Sequence, residues 1–281
     1  MSLFFKRFAG HGYVCAHRGA RSIAPENTLM ALDEARGCGA DLWETDIQLT
    51  ADGEIVLFHD QTLERTTNVA ELEVFRDRHP WDLSQFSLND LRTLNAGEWF
   101  LKTDPFGTLA KGDISRENYA PIRQQKIPLL RDILVYCRSF DFPVNLEIKD
   151  QSERFKVPEI AIKLLALISE LNVSDLVLIS SFNHNYLRQI KSLDGKITTA
   201  ALVEKHHPDN LIEYLRGLNV EAYHPDWRIV TTDLIRDLNQ AGMRVNLWTV
   251  NEMDKAREFM NAGVTFVCTD WPQKLVNSHS A

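Results

Sequence analysis

Short runs of β-branched and apolar residues alternate with amphipathic stretches along most of the chain, and this rhythm limits the possible folds more than any other feature. The first run covers residues 12–16. Asn27 is placed to cap a helix that starts near 26–28 and ends near 37 or 39, with Leu29, Leu32 and Ala35 at helical spacing. Residues 41–49 read as the next strand. Ala51-Asp52-Gly53 then turns the chain, and 54–58 must return antiparallel, because so few intervening residues cannot hold a crossover helix. From about 61 to 125 the rhythm stops. That stretch carries Phe75, Trp81, Phe86, Trp99, Phe100 and Phe106 and one helix-like piece at 88–94. Compact domains seldom hold a structureless loop of that length, so it reads as an inserted subdomain or lid.

The alternation then resumes, with helices expected at 129–138, 158–171, 208–218, 232–241 and 252–262. Strands are expected at 143–148, 176–180, 196–203, 220–223, 244–250 and 264–268. Counting only runs that can lie parallel gives eight, near residues 14, 43, 145, 177, 199, 221, 246 and 266. The pattern predicts an α/β fold: a distorted TIM-type (β/α)8 barrel with an extra antiparallel hairpin strand and a small inserted subdomain. It predicts one domain over 1–281, with the insertion at about 61–125. An open doubly wound sheet is the competing architecture, but no GxGxxG or GxxxxGK[ST] stretch supplies it with a nucleotide site.

Charge narrows the function. The 31 basic and 39 acidic residues give −8 at neutral pH, which argues against a broad nucleic-acid or anionic-membrane surface. No apolar run approaches the roughly 18–20 residues that span a bilayer, and the N-terminal Leu3-Phe4-Phe5-Lys6-Arg7-Phe8 is too interrupted for a signal-peptide core. The scattered Cys15, Cys38, Cys137 and Cys268 form no CxxC pair and read as thiols in a reducing compartment, not as zinc ligands. A cytoplasmic protein without stable membrane insertion is expected.

Residues two apart on a strand share a face, so Glu44 points with Asp46, and Glu147 with Lys149. Both pairs lie near the C-terminal ends of their strands, where barrel enzymes build active sites. His17 follows the first strand, with Arg18 beside it, and His59 follows the returning strand. Taken singly, each is an ordinary strand-end residue, and the acids could merely pair with Lys149 or Arg18. Together they bring two histidines, three carboxylates and two cations to one rim. Adjacent inward carboxylates repel unless a cation joins them, and three on one rim suit a hard divalent ion, Mg²⁺ or Ca²⁺. Phe182 and Trp248 end later strands and could wall the same mouth. Glu26 could orient Arg18 or cap the first helix. Ser180 and Ser181 sit in no GxSxG elbow, and His206, His207 and His224 read as loop residues; His184, near Phe182, stays open.

Several ordered motifs resemble one family. His17-Arg18-Gly19, Pro25-Glu26-Asn27-Thr28, Glu44-Thr45-Asp46, Thr50-Ala51-Asp52-Gly53, His59-Asp60 and Leu63-Glu64-Arg65-Thr66-Thr67 are similar to the glycerophosphodiester phosphodiesterase family. So are Leu94-Asn95-Ala96-Gly97, Asn145-Leu146-Glu147-Ile148-Lys149, Ser180-Ser181-Phe182, Trp248-Thr249-Val250-Asn251 and Thr269-Asp270-Trp271-Pro272. The resemblance runs from residue 13 to about 273. It departs after Asn68, where the family often continues with glycines and this chain has Val69-Ala70-Glu71.

The resemblance implies metal-dependent hydrolysis of small glycerophosphodiesters to sn-glycerol 3-phosphate and an alcohol. By the matching positions, Glu44, Asp46 and Glu147 would bind the metal, with His17 as base and His59 as acid. Arg18 and Lys149 would face the phosphate. The nucleophile would be water or the substrate's own hydroxyl through a cyclic phosphate. The alternative in the same fold is a lysophospholipase-D-like or sphingomyelinase-D-like enzyme acting on lipid. A non-catalytic phosphate-binding protein would be favoured by a replaced catalytic position, yet all seven carry competent side chains.

Overall fold

The computed structural model describes residues 2–277; Met1 and residues 278–281, part of the expected domain span, lie outside the described residues. Nine strands form one sheet: β1 (Tyr13–His17), β2 (Leu42–Leu49), β3 (Ile55–Leu57), β4 (Val144–Ile148), β5 (Val177–Ser181), β6 (Thr198–Val203), β7 (Ala222–Pro225), β8 (Arg244–Leu247) and β9 (Phe266–Thr269). Their order is β1-β9-β8-β7-β6-β5-β4-β2-β3, and a further β1–β2 pairing closes the ring. All pairings are parallel except β2–β3. The fold is therefore the distorted (β/α)8 barrel, not the open sheet, and β3 is the expected extra strand.

Alternation along the strands sorts side chains by depth. The lower barrel is filled by Cys15, Leu42, Leu178, Ala200, Ala222, Phe266 and Cys268. The N-terminal stretch, read from the sequence only as a failed signal peptide, stoppers that end. Phe4, Phe5 and Phe8 are buried around Phe266, with the Phe8 ring 4.8 Å from it edge-on. Outside the sheet, helices bury one face each in two large apolar clusters.

Two local expectations are corrected. The first helix, Leu29–Gly37, is capped by Thr28, whose hydroxyl accepts from the Ala31 amide. Asn27 instead has φ +55°, and its amide group is drawn into the sheet top by Asp46 and Thr45. A helix at His184–Leu193 connects β5 and β6 where none was anticipated. It buries Tyr186, Leu187 and Ile190 on one face.

Residues 61–125 hold short helices at Leu88–Thr93, Glu98–Thr103, Thr108–Lys111 and Tyr119–Arg123. Phe75, Leu83, Phe86, Leu91 and Leu94 pack with Val56 and Phe58, so this helical insertion rests on the β2–β3 hairpin. Among the described residues no helix is long and apolar enough to cross a membrane, and the four cysteines are free.

The stopper gives a direct test of the packing. Phe4→Ala removes a fully buried ring and is expected to cost about 3–5 kcal/mol in urea unfolding. A change within about 0.5 kcal/mol, the size expected at a surface position, would show that the plug does not hold the barrel shut.

Candidate active site

The C-terminal mouth of the barrel is built by strand register. His17 is paired with Glu44 across β1–β2, and Asp46 with Glu147 across β2–β4. Three carboxylates therefore converge, with oxygens of Glu44, Asp46 and Glu147 all within 4.8 Å of one another. All three side chains are buried, and Glu44 Oε1 has no hydrogen-bond partner among the described residues. Burial raises Glu44 well above the ordinary carboxylate range, reinforced by the charges of Asp46 and Glu147. Glu147 is also raised, by burial first and by Asp46, with Lys149 opposing. Asp46 behaves oppositely: burial is outweighed by Arg18, Lys149 and His59 and by the Asn27 hydrogen bond of 2.8 Å, and its pKa falls. An all-oxygen donor set with an orphaned, mutually repelling carboxylate fits a hard divalent cation, and this trio could hold one.

The turn after β1 supplies the next layer. Arg18 has φ +52° and Gly19 φ +86°, which swings the Arg18 amide to 3.1 Å from Glu44 Oε2. A β-carbon on Gly19 would lie 2.6 Å from the Ala31 backbone, so only glycine fits. The Arg18 guanidinium donates to Glu26 at 2.9 Å and lies 3.2 Å from Asp46 without hydrogen-bond alignment. Lys149 sits 2.7 Å from Glu147 and 3.5 Å from Asp46. The bland reading, an ion network with Arg18 and Lys149, is therefore also present, around the carboxylate trio.

Each histidine has its own acid. His17 Nδ1 is 2.7 Å from Asp270, whose other oxygen accepts from Asn251 at 2.7 Å. His59 Nδ1 is 2.6 Å from Asp60. A carboxylate on Nδ1 holds the proton there and leaves Nε2 unprotonated in the neutral ring. His17 Nε2 lies 4.0 Å from Glu44. Burial, aided by Arg18, lowers the His17 pKa against the pull of Asp270 and favours the neutral imidazole.

Glu26 ties these parts together. Its carboxylate accepts from Arg18, from Arg21 at 2.7 Å and from Arg65 at 2.6 Å. Arg21 in turn reaches Asp270 at 3.4 Å, and Arg65 holds Asp60. The three guanidiniums keep Glu26 ionised far below its usual range despite its burial. It does not cap the first helix.

A cavity of about 120 Å³ opens onto His17, Arg18, Glu44, His59, Glu147 and Lys149. Phe182 and Trp248 stand at its lip with rings 5.4 Å apart and edge-on. It adjoins a wider groove of about 440 Å³ that shares His59, Glu147, Lys149 and Phe182. All nine sequence-predicted site residues thus meet at one mouth.

Residues 17–274 match the model of the glycerophosphoryl diester phosphodiesterase family. The chain belongs to this family. A glycerophosphodiester phosphodiesterase of Caldanaerobacter subterraneus is 34% identical over 271 residues, which are 94% of this chain and 96% of that protein. One of Bacillus altitudinis is 30% identical over 268 residues, 94% of this chain and 96% of that one. Among solved structures, an Oleispira antarctica phosphodiesterase in complex with the product sn-glycerol-3-phosphate superposes with TM-score 0.79 at 27% identity, covering 96% of this chain and 97% of that one.

Several residues of this phosphodiesterase's site have no role that the sequence alone assigns, although Arg65, Asn251 and Asp270 stand in its family-like motifs. Asp270, Asn251, Arg21 and Arg65 carry no spacing signal, since they meet the histidines only after folding. His224 was read as a loop residue; it lies on β7, fully buried, and lines the cavity, where burial lowers its pKa to about 3. His206 and His207 do lie in a loop, and His184 bonds to Tyr214 at 2.7 Å and the Leu202 carbonyl at 3.0 Å. Ser181 donates to the Ile148 carbonyl.

The Glu26 junction generates a stability prediction. Glu26→Gln leaves three guanidiniums short of charge and is expected to cost about 3–5 kcal/mol near neutral pH. A depressed pKa stabilises the fold above its unfolded value of about 4.5 and loses that contribution as pH falls. Melting temperatures of wild type and variant should therefore converge on acidification. Parallel pH profiles would contradict the ionised Glu26.

Proposed function

We propose that the chain hydrolyses small glycerophosphodiesters to sn-glycerol 3-phosphate and an alcohol, with a divalent cation held by Glu44, Asp46 and Glu147. The observation that carries this reading is two imidazoles, each with a carboxylate on Nδ1, lining one cavity with Glu44 and Glu147, whose oxygens cluster with those of Asp46. The cation, Mg²⁺ or Ca²⁺, would supply Lewis-acid neutralisation of the phosphate oxygens. Arg18 and Lys149 add fixed positive charge at the same place, aimed at charge that builds up in the transition state.

His17 is the base in this reading. Its depressed pKa keeps Nε2 free to take the proton from the attacking oxygen, which is water or the substrate's own glycerol hydroxyl. Asp270 fixes the tautomer and stabilises the imidazolium that forms. His59, acting with both ring nitrogens protonated and with Asp60 on Nδ1, gives its Nε2 proton to the departing alkoxide as the bond from phosphorus to that oxygen breaks. Phe182 and Trp248 offer apolar walls to the substrate carbons. The insertion, which contributes Gln61, Asp82 and Ser84 to the outer groove, shapes the path of the alcohol. Four free thiols, three of them buried, support a cytoplasmic setting.

Release of sn-glycerol 3-phosphate from a panel of glycerophosphodiesters tests the proposal, with lysophospholipids and sphingomyelin as the opposing panel. Turnover is expected with the first panel, to vanish in excess chelator and to return with Mg²⁺ or Ca²⁺. Full activity in chelator would exclude the metal, and turnover of the lipids alone would favour the lipid enzyme. His17→Ala and His59→Ala should each lower kcat by about 10²- to 10⁴-fold.

The pH profile separates the roles. The acid limb of kcat/KM should lie below the ordinary imidazole value of 6.5, because His17 is depressed. Asp270 raises the His17 pKa, so Asp270→Asn should move that limb further to the acid side while kcat drops. A drop in rate with an unmoved limb would mean that Asp270 serves only packing.

A further inference from the structure

The strand that carries two of the clustered acids also holds the backbone of His59. Glu44, Asp46 and Gln48 alternate along β2 and share one face. Gln48 is 2% exposed. Its Nε2 donates to the Phe58 carbonyl at 2.9 Å and to the Asp60 carbonyl at 2.8 Å, the residues on either side of His59. Both acceptors are carbonyl oxygens, so the atom between them is the amide nitrogen, and both of its hydrogens are used.

His59 needs such a hold because the hairpin ladder ends before it. β3 stops at Leu57, and one more backbone bond follows, from the Phe58 amide to the Asp46 carbonyl at 3.0 Å. A regular antiparallel pair would return a bond from the Asp46 amide to the Phe58 carbonyl. That amide donates to Asn27 Oδ1 at 3.3 Å instead. The Phe58 carbonyl is thereby released, and Gln48 takes it together with the Asp60 carbonyl. The two holds on His59 are different in kind. Arg65 grips the Asp60 carboxylate, which lies 2.6 Å from His59 Nδ1. Gln48 grips the main chain on both sides of the ring.

We infer that Gln48 is a positioning residue for His59: by clamping the carbonyls of Phe58 and Asp60 it fixes the proton donor relative to Glu44 and Asp46 on its own strand. This rests on the proposed hydrolysis, in which His59 protonates the departing alkoxide. Gln48 lines the outer groove beside His59. It keeps no N–H free for a substrate, so its contribution passes through the histidine. General acid catalysis is worth about 10²- to 10⁴-fold, and a misplacement of about 1 Å can forfeit roughly 10²-fold of it.

Leaving-group dependence tests this, because only a poor leaving group needs the proton. The enzyme is compared on glycerophosphoethanolamine, which releases an alkoxide, and on the 4-nitrophenyl ester of sn-glycerol 3-phosphate, whose phenolate leaves without protonation. Gln48→Met keeps the length of the side chain and removes both donors. Its kcat on glycerophosphoethanolamine should fall about 10- to 100-fold while KM stays within about threefold. On the nitrophenyl ester kcat should fall by less than about threefold. His59→Ala should show the same asymmetry more strongly, and adding Gln48→Met to it should lower the rate no further. Far-UV circular dichroism and melting temperature report folding. If the methionine variant does not fold, Gln48→Asn, one methylene short and unable to reach both carbonyls, carries the same comparison. Equal losses on the two esters, no loss on either, or additive losses in the double variant would overturn the inference. Failure of the underlying reading looks different. A wild type that turns over neither ester ends the hydrolysis and this inference with it. A His59→Ala variant that loses both esters equally removes His59 as the acid, and Gln48 as its support, while hydrolysis stands.

Discussion

Buried negative charge at one end of the barrel is the constraint to which the rest of the structure answers. Glu26, Glu44, Asp46, Asp60, Glu147 and Asp270 crowd the mouth, and Arg18, Arg21, Arg65 and Lys149 are threaded between them. Counted as ionised, the acids exceed these cations by two charges, the charge of a single divalent ion. The excess falls on Glu44 and Glu147, whose pKa values are raised, and not on Glu26 or Asp46, which have guanidinium partners. The acids that orient something are thus neutralised, while Glu44 and Glu147, two of the three that could bind a cation, keep raised pKa values.

The same economy explains how distant segments stay in register. Glu26 meets three arginines, and each leads to a different functional group: Arg18 to Asp46, Arg21 to Asp270 beside His17, Arg65 to Asp60 beside His59. One carboxylate in the first turn of the chain therefore links both histidines and the acidic trio. Below this charged rim lie the buried amides of Asn145 and Asn246 with the His224 imidazole, and below that the apolar plug of Phe4, Phe5 and Phe8. Polarity rises along the barrel axis in three steps, of which the N-terminal stretch supplies the lowest.

The barrel and the chemistry-bearing residues were legible because both rest on short-range patterns. Eight short β-branched and apolar runs, separated by helical stretches, leave few topologies open, and Glu44/Asp46 and Glu147/Lys149 declare a shared face by spacing alone. The misreadings have physical reasons too. Asn27 looks like a cap until Asp46 and Thr45 compete for its amide. His224 has no telling neighbours in sequence; its surroundings come from β8 and from Trp248.

The sequence by itself determined the alternation of strands and helices, the hairpin after β2 and the side chains each strand end would offer, since these follow from local backbone geometry and side-chain period. Only the tertiary structure decided which acid pairs with which histidine, that Glu26 would serve three arginines, and that Asn145, His224 and Asn246 would bury polar atoms without partners among the described residues. Those outcomes depend on closure of the ring, in which β1 pairs with both β2 and β9 and residues up to 253 positions apart come into hydrogen-bond contact, and no local periodicity encodes such a distance.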